Sequence, residues 1–448
     1  IIMLIILHGW SDTYTSFKKL ASWILKQNIY NDIHHIYLGN YVSLDDDVTF
    51  NDLVEAMQAA WINEYLPTEP RSVDVIVHSS GGLVVRDWMT SYYKHDTNPV
   101  HRLLMLAPAN FGSHLAHKGK SFIGRVFKGY KSDKPFQTGT HILNGLELAS
   151  PYSWELARRD LFGGSTWYGP GKVLCTVLIG TEGYSGISSI GNQSGSDGTV
   201  PVSCANLNAS RLVLDFATDP QNPTARPMGA RGVTAFTRIP LENHSTIAFK
   251  DNGPKNEKTY ELILNALTVT DDSFDSHCDE LDAISSDARL DGEADPYTHG
   301  YQNTVVHLVD NLETDVKDYF LELFIKEQNN SITIDDSMTS ILQENVVTKV
   351  HIYKENSAYR SLMINCTRLD ELSPEISGPL CIAITALPDI NQTKSVGYDT
   401  FAWDAIDSLK LDSNTTKQFF KCDRTVLVEF SIKRKQTEKV FSFNKHPK

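Results

Sequence analysis

Residues 75–86 read Val-Ile-Val-His-Ser-Ser-Gly-Gly-Leu-Val-Val-Arg, and no other stretch limits the fold so strongly. The run Val-Asp-Val-Ile-Val-His at 73–78 has the nearly unbroken apolar character of a strand buried on both faces. From Gly82 to Tyr93 the spacing is helical. A strand that turns into a helix across two serines and two glycines brings the two elements very close, which only small side chains allow. The turn leaves the Ser79 hydroxyl standing above the strand end, at a helix N-terminus whose dipole favours negative charge.

The first part of the chain repeats this alternation. Residues 3–8, 102–106, 172–179 and 211–216 are apolar runs of strand length, and 49–64 carries apolar residues at helical spacing. Strands alternating with helices imply an α/β fold, a mostly parallel sheet flanked by helices. Residues 111–170 interrupt the pattern with a long segment rich in Gly, Lys and aromatics, which reads as a cap or lid insertion. Residues 271–282 (DDSFDSHCDELD) are acidic and polar, so 271–300 reads as a solvated linker. A calcium loop is the sharper reading of those acids, but the spaced ligands and turn glycine are missing. Beyond Tyr301 short β-rich runs recur at 304–309, 319–325, 346–353, 359–365, 380–385 and 425–432, separated by turn clusters. That is the pattern of an antiparallel all-β, sandwich-like domain. The expected organisation is a catalytic domain over 1–270, the linker, and an accessory domain over 301–448.

A length of 448 residues suits two domains. A net charge of −14 argues against nucleic acid as the main partner, because phosphate binding needs a basic surface. No apolar run reaches the length of a membrane span. Residues 1–7 are apolar but short and lack a preceding basic region, so they read as a strand and not as a signal peptide. The compartment is not fixed by the sequence: with no signal peptide or membrane span visible, a cytoplasmic location and export by a leaderless route both stay open. Six cysteines lack the spacing of a zinc site and read as buried free thiols, though Cys366 and Cys381 could pair.

Serine chemistry needs a base and a group that holds the base's tautomer. Several segments carry the residue types required. His8-Gly9-Trp10 follows the first strand, Gly195-Ser-Asp-Gly-Thr-Val-Pro follows the strand at 172–179, and Leu241-Glu-Asn-His-Ser-Thr-Ile follows a later one. Each has a plain reading beside the functional one: a strand-end turn, an Asp-Gly turn, a loop histidine. For Ser79 the plain reading is a helix cap.

Together, HGW, VHSSGGLVVR, LAPANFGSHLA, SDGTVP and ENHSTI resemble lipases and esterases of the α/β-hydrolase superfamily over about residues 3–268. The likeness is greatest to bacterial lipase-like and inositol-deacylase-like members. The elbow is similar to G-x-S-x-G, with Val77 in place of the first glycine. Centring on Ser79 puts Gly81 two residues later, which favours Ser79 over Ser80. The resemblance implies Ser79 as nucleophile, Asp197 as acid and His244 as base, in the order Ser, acid, His. It also implies the backbone amides of Trp10 and Ser80 as oxyanion donors. Asp215 is the runner-up acid. His78 sits too near the nucleophile, His8 reads as support for the oxyanion turn, and Glu242 reads as a solvated loop acid.

The implied activity is hydrolysis of carboxylic esters of lipids, as by a lipase or phospholipase, through an acyl-enzyme and without cofactor or metal. A small-ester esterase or a thioesterase with the same triad is the alternative, and an amidase or peptidase a weaker one. A binding scaffold without catalysis is of another class, and an intact set of Ser79, Asp197 and His244 argues against it. Residues 117–134 hold six Lys and Arg against one Asp among aromatics, so this basic stretch is a candidate contact for an anionic membrane surface or headgroup. The accessory domain could bind a partner its sequence does not name.

Overall fold

Six strands of the first part run parallel: β1 (Met3–His8), β2 (Ile33–Tyr37), β3 (Val73–His78), β4 (Val100–Leu106), β5 (Leu174–Gly180) and β8 (Ala235–Ile239). Their order across the sheet is β2-β1-β3-β4-β5-β8. The structure, a computed structural model, describes residues 2–8, 15–38, 47–118, 139–290, 295–328, 330–390, 396–403 and 419–436. It divides into two units. The first comprises Ile1–Ala209, Gly229–Gly300 and Asp423–Thr425, the second Ser210–Met228, Tyr301–Cys422 and Val426–Lys448.

The apolar runs explain the sheet of the first unit. β3 and β5 are buried along their whole length, as is β1 from Leu4 onward, which is the environment a helix-covered parallel sheet provides. Asp74 interrupts β3 with a buried carboxylate. It is satisfied by the Tyr30 hydroxyl and by both the amide and guanidinium of Arg102. Helices α1 (Lys18–Lys26), α2 (Phe50–Asn63) and α3 (Gly81–Tyr92) connect successive strands. Thr49 and Asp52 form a reciprocal capping box that starts α2. Because all six strands point the same way, their carboxyl ends lie along one end of the sheet, and the loops leaving β3, β5 and β8 emerge together there.

Three expectations about organisation need correction. Residues 271–300 are not a solvated linker: Phe274–Leu290 is a helix of the first unit, packed on β8 with Phe274 and Leu281 fully buried. Its acids line the outer face of an amphipathic helix, which composition alone cannot separate from a solvated coil. Asp271 is itself engaged, in a two-point contact with the Arg71 guanidinium. Residues 210–216 (β6, Ser210–Phe216) do not join the parallel sheet but pair with β17 (Arg424–Ile432) in the second unit. Leu212, Leu214 and Phe216 are buried while Val213 and Asp215 are half-exposed, the period-2 pattern of a strand with one covered face. The described part of 111–170 is built into the core. Helix Pro151–Asp160 packs on α3, with Trp154, Leu156 and Ala157 buried. The basic residues 119–138 lie outside the described residues.

The second unit is a sandwich of a six-stranded sheet, β12-β13-β9-β17-β6-β7, and a four-stranded sheet, β11-β10-β14-β16. Here β7 is Thr224–Gly229, β9 Tyr301–Asp310, β10 Tyr319–Glu327, β11 Asn330–Ile334, β12 Val347–Ile352, β13 Tyr359–Asn365, β14 Leu380–Ala386 and β16 Phe401–Trp403. Leu214, Leu308, Tyr319, Ile325, Leu380 and Ile432 belong to the core between the sheets. β13 pairs antiparallel with β12 and β9, β10 with β11 and β14, and β14 with β16, while β6 runs parallel to β17; helices Asp336–Asn345 and Cys366–Leu372 add to the expected all-β plan. All six cysteines are free thiols, Cys366 and Cys381 included.

A chain ending at Thr270 keeps the whole of the expected catalytic domain but loses helix Phe274–Leu290, which exposes the face that Phe274 and Leu281 cover on β8 and leaves Arg71 without Asp271. Such a chain is expected to aggregate or to melt at least several degrees below the full chain. A cooperative, unshifted thermal transition for the truncated chain would show the helix to be dispensable.

Candidate active site

Ser79 follows β3 directly and has φ +54°, a left-handed conformation costly for a residue with a Cβ. The strain is held by packing on both sides of the turn. A Cβ on Gly81 would lie 3.2 Å from Val77 Cβ, and one on Gly82 would lie 2.9 Å from Pro108 Cβ and 3.0 Å from Asn110 Oδ1. Val77, where the motif has glycine, therefore fits only because residue 81 has no side chain. Ser80 caps α3, and its carbonyl accepts from the amides of Leu83 and Val84.

The three side chains picked out in sequence come together at the carboxyl end of the sheet. Ser79 Oγ lies 3.0 Å from His244 Nε2, and His244 Nδ1 lies 2.8 Å from Asp197 Oδ2. All three residues are buried. Asp197 Oδ1 accepts from the amides of Thr199 (2.9 Å) and Val200 (2.7 Å). Those two bonds fix the carboxylate plane and leave Oδ2 for the imidazole. His244 thus lies between the Asp197 carboxylate on its Nδ1 side and the Ser79 hydroxyl on its Nε2 side. The backbone amide of His244 also donates to the Asp197 carbonyl, at 3.0 Å, so acid and base loops are joined twice.

A buried strand that ends in a positive-φ serine at a helix N-terminus, within this parallel sheet and with Asp197 and His244 following in that chain order and meeting it in space, decides the architecture. The chain has the α/β-hydrolase fold.

Within this fold, neighbours of the three residues add support that the sequence did not reveal. His78 Nε2 donates to the His244 carbonyl at 2.8 Å, and the two rings stand 4.7 Å apart. Burial, with Lys250 and His244 nearby, holds the His78 pKa well below the ordinary histidine value, so it remains a neutral spacer. Tyr184 places its hydroxyl 2.7 Å from Ser245 Oγ, beside the base. Glu242 is buried, not solvated. Its Oε1 accepts from the amides of Lys255 and Asn256, and desolvation raises its pKa. It ties the base loop to the start of helix Glu257–Thr268. Asp215 is occupied elsewhere, by Ala217, Thr218 and Ser431 of the second unit. His8 is buried against His35, Nε2 to Nδ1 at 2.7 Å. Trp10 and Gly9 lie outside the described residues. A turn formed by the Asp197 carboxylate with the amides two and three residues on could have been read from Asp-Gly-Thr-Val. The His78 bond joins residues 166 apart in sequence and left no local signal.

No protein-family model matches the chain, and no curated protein matches it in sequence. Among solved structures it is similar to phospholipase PlaB from Legionella pneumophila, with a TM-score of 0.78 and 24% identity over 99% of this chain and 96% of that one. A second structure of that protein, in complex with thio-NAD, aligns over the same shares at 25% identity and the same TM-score. The lipase BlEst2 from Bacillus licheniformis aligns over 60% of this chain at 16% identity and a TM-score of 0.35. The Legionella likeness spans both units, so the β-rich unit as well as the hydrolase unit has a counterpart there. Among the described residues no helix is long and apolar enough to cross a membrane.

Proposed function

We propose that the protein is a serine hydrolase that cleaves carboxylic esters of lipids through an acyl-enzyme on Ser79. The observation that carries this reading is the continuous line from Ser79 Oγ through His244 to Asp197, at 3.0 and 2.8 Å. His244 Nε2 takes the serine proton as Oγ attacks the ester carbonyl. Asp197 stabilises the imidazolium that results. The carbonyl oxygen becomes an oxyanion facing the Ser80 amide at the N-terminus of α3, with Trp10 as the second donor. His244 then returns its proton to the leaving alcohol as the C–O bond breaks. A water molecule, deprotonated by the same nitrogen, attacks the acyl-enzyme, and His244 passes that proton to Ser79 Oγ as the acyl–oxygen bond breaks and the acid leaves. Lipid is preferred as substrate because the extended structural likeness is to a phospholipase.

The test is labelling by a fluorophosphonate probe, then a panel of phospholipids, triglycerides, thioesters and short p-nitrophenyl esters, each run beside Ser79→Ala. Cleavage of lipid esters by the parent alone supports the reading. Turnover confined to short esters or thioesters replaces it with the narrower alternatives. The acid has its own test: Asp197→Asn is expected to lower kcat by about two to four orders of magnitude, because the base persists in the wrong tautomer, while Asp215→Asn leaves kcat within about twofold. The reverse pattern would reassign the acid.

A further inference from the structure

The loop between β5 and Asp197 has a feature that catalysis does not use. From Gly183 to Ser196 fourteen successive residues carry no charge, in a chain of net charge −14. Within them Gly186–Gly191 forms a short 3-10 helix in which Ile187 is 89% and Ile190 85% exposed. Three-residue spacing on a 3-10 helix stacks both side chains on one side. Leu241, on the loop leaving the neighbouring strand β8, is 57% exposed and held at φ +70°. These aliphatic groups belong to the loops that carry Asp197 and His244, at the carboxyl end of the sheet. Among the described residues of the first unit, the other large exposed apolar residues, Leu25, Ile62, Tyr65 and Tyr92, are near charged neighbours at the opposite ends of α1, α2 and α3.

The exposure is built in by a firm base. Tyr184 and Asn192 exchange two hydrogen bonds across the loop, amide to Oδ1 at 3.0 Å and Nδ2 to carbonyl at 2.7 Å. A side chain on Gly183 would collide with Asn192. His114 Nε2 donates to the Gly191 carbonyl at 3.0 Å, and the Gly195 amide donates to the Tyr297 carbonyl at 3.0 Å. The tip is thus held out with both isoleucines exposed.

We infer that Ile187 and Ile190, with Leu241 beside their loop, form an apolar contact that inserts into a lipid surface and sets the catalytic end of the sheet against it. The occupant is a bilayer interface and not a protein. A few aliphatic side chains fall far short of the roughly 800 Å² that a stable protein partner covers, whereas an interface takes up isolated apolar groups without shape complementarity. The uncharged flanks let the tip enter the headgroup region without burying an ion. The inference rests on the lipid-ester reading, and it names how that site would reach a substrate lying in a membrane.

The test uses the full chain as Ser79→Ala, so that vesicles stay intact, and neutral phosphatidylcholine vesicles at high salt, where charge attraction is screened. Adding Ile187→Ser and Ile190→Ser is expected to reduce vesicle partitioning in a sedimentation assay about tenfold or more. The pair Ile187→Leu and Ile190→Leu should partition as the parent does. A tryptophan introduced as Ile190→Trp should be quenched by brominated lipid. In the Ser79 enzyme the two serine changes should raise the apparent KM for vesicle lipid while turnover of a short soluble ester stays within about twofold. Equal partitioning of parent and double-serine chain, no partitioning by the parent, or no quenching of the new tryptophan overturns the inference. The failure of the functional reading is separate: a parent that cleaves no ester refutes it, while partitioning of the Ser79→Ala chain still decides the surface.

Discussion

Replacing Ser79 by alanine is expected to lower ester turnover by about three orders of magnitude or more, with little change in thermal stability. The effect is large because the hydroxyl is the atom that would be acylated and nothing nearby can take its place. Ser80 precedes α3 as its cap, and its proposed contribution is a backbone amide. Ser80→Ala keeps that amide and should cost far less. His244→Ala should approach the Ser79→Ala rate, since a serine without a base gains little from the remaining acid. The double variant Ser79→Ala with His244→Ala should be no worse than either alone, because the groups act as a unit. Single-turnover and steady-state rates on one soluble ester check all four. Equal losses at Ser79 and Ser80, or additive losses at Ser79 and His244, would show that the hydroxyl and the imidazole do not work together.

The second large effect concerns stability. Arg86, the last residue of the elbow motif, is completely buried and meets Asp160 in a two-point contact, Nε to Oδ2 at 2.7 Å and Nη2 to Oδ1 at 2.9 Å. The Tyr168 hydroxyl donates to the same carboxylate at 2.6 Å, and Arg86 Nη1 reaches Asn110. Asp160 raises the Arg86 pKa against the effect of burial. Asp160→Ala removes the only carboxylate in this network and leaves a guanidinium in the core, at a cost of about 3–5 kcal/mol. Chemical denaturation should show it as a lower midpoint with little change in slope. Asp160→Leu together with Arg86→Met should recover most of the loss, because two apolar groups need no partner. The contact ties α3, which begins beside Ser79, to helix Pro151–Asp160. The single variant is therefore expected to lose activity at a lower temperature than the parent. An Asp160→Ala chain as stable as the parent would mean that Arg86 finds another partner or water.

Much of the hydrolase unit was legible because its signals are local. A short apolar run of strand length between helical stretches reads as a strand covered on both faces, so β1, β3, β4 and β5 stood out. β2 did not, since Ile-His-His-Ile-Tyr is half polar and only its burial beside β1 keeps it in the sheet. The elbow was legible because strand, turn and helix are contiguous. The acid loop was legible for the same reason, its carboxylate bonding to amides two and three residues on.

What the chain could not express locally, the tertiary structure decided. The acids of 271–282 read as a linker until the apolar stripe of Phe274 and Leu281 met β8. The strand at 210–216 reads as part of the first sheet until β17, more than 200 residues later, supplies its hydrogen-bonding partner. Glu242 read as a loop acid until the start of helix Glu257–Thr268 brought two amides to it. By itself the sequence determined the strand–turn–helix around Ser79 and the turn at Asp197, because turn chemistry and strand burial act over a few residues. Only the tertiary structure set Ser79 at 3.0 Å from His244 and His244 at 2.8 Å from Asp197. Those distances depend on the register of β3, β5 and β8, and register is fixed by packing between residues far apart in the chain.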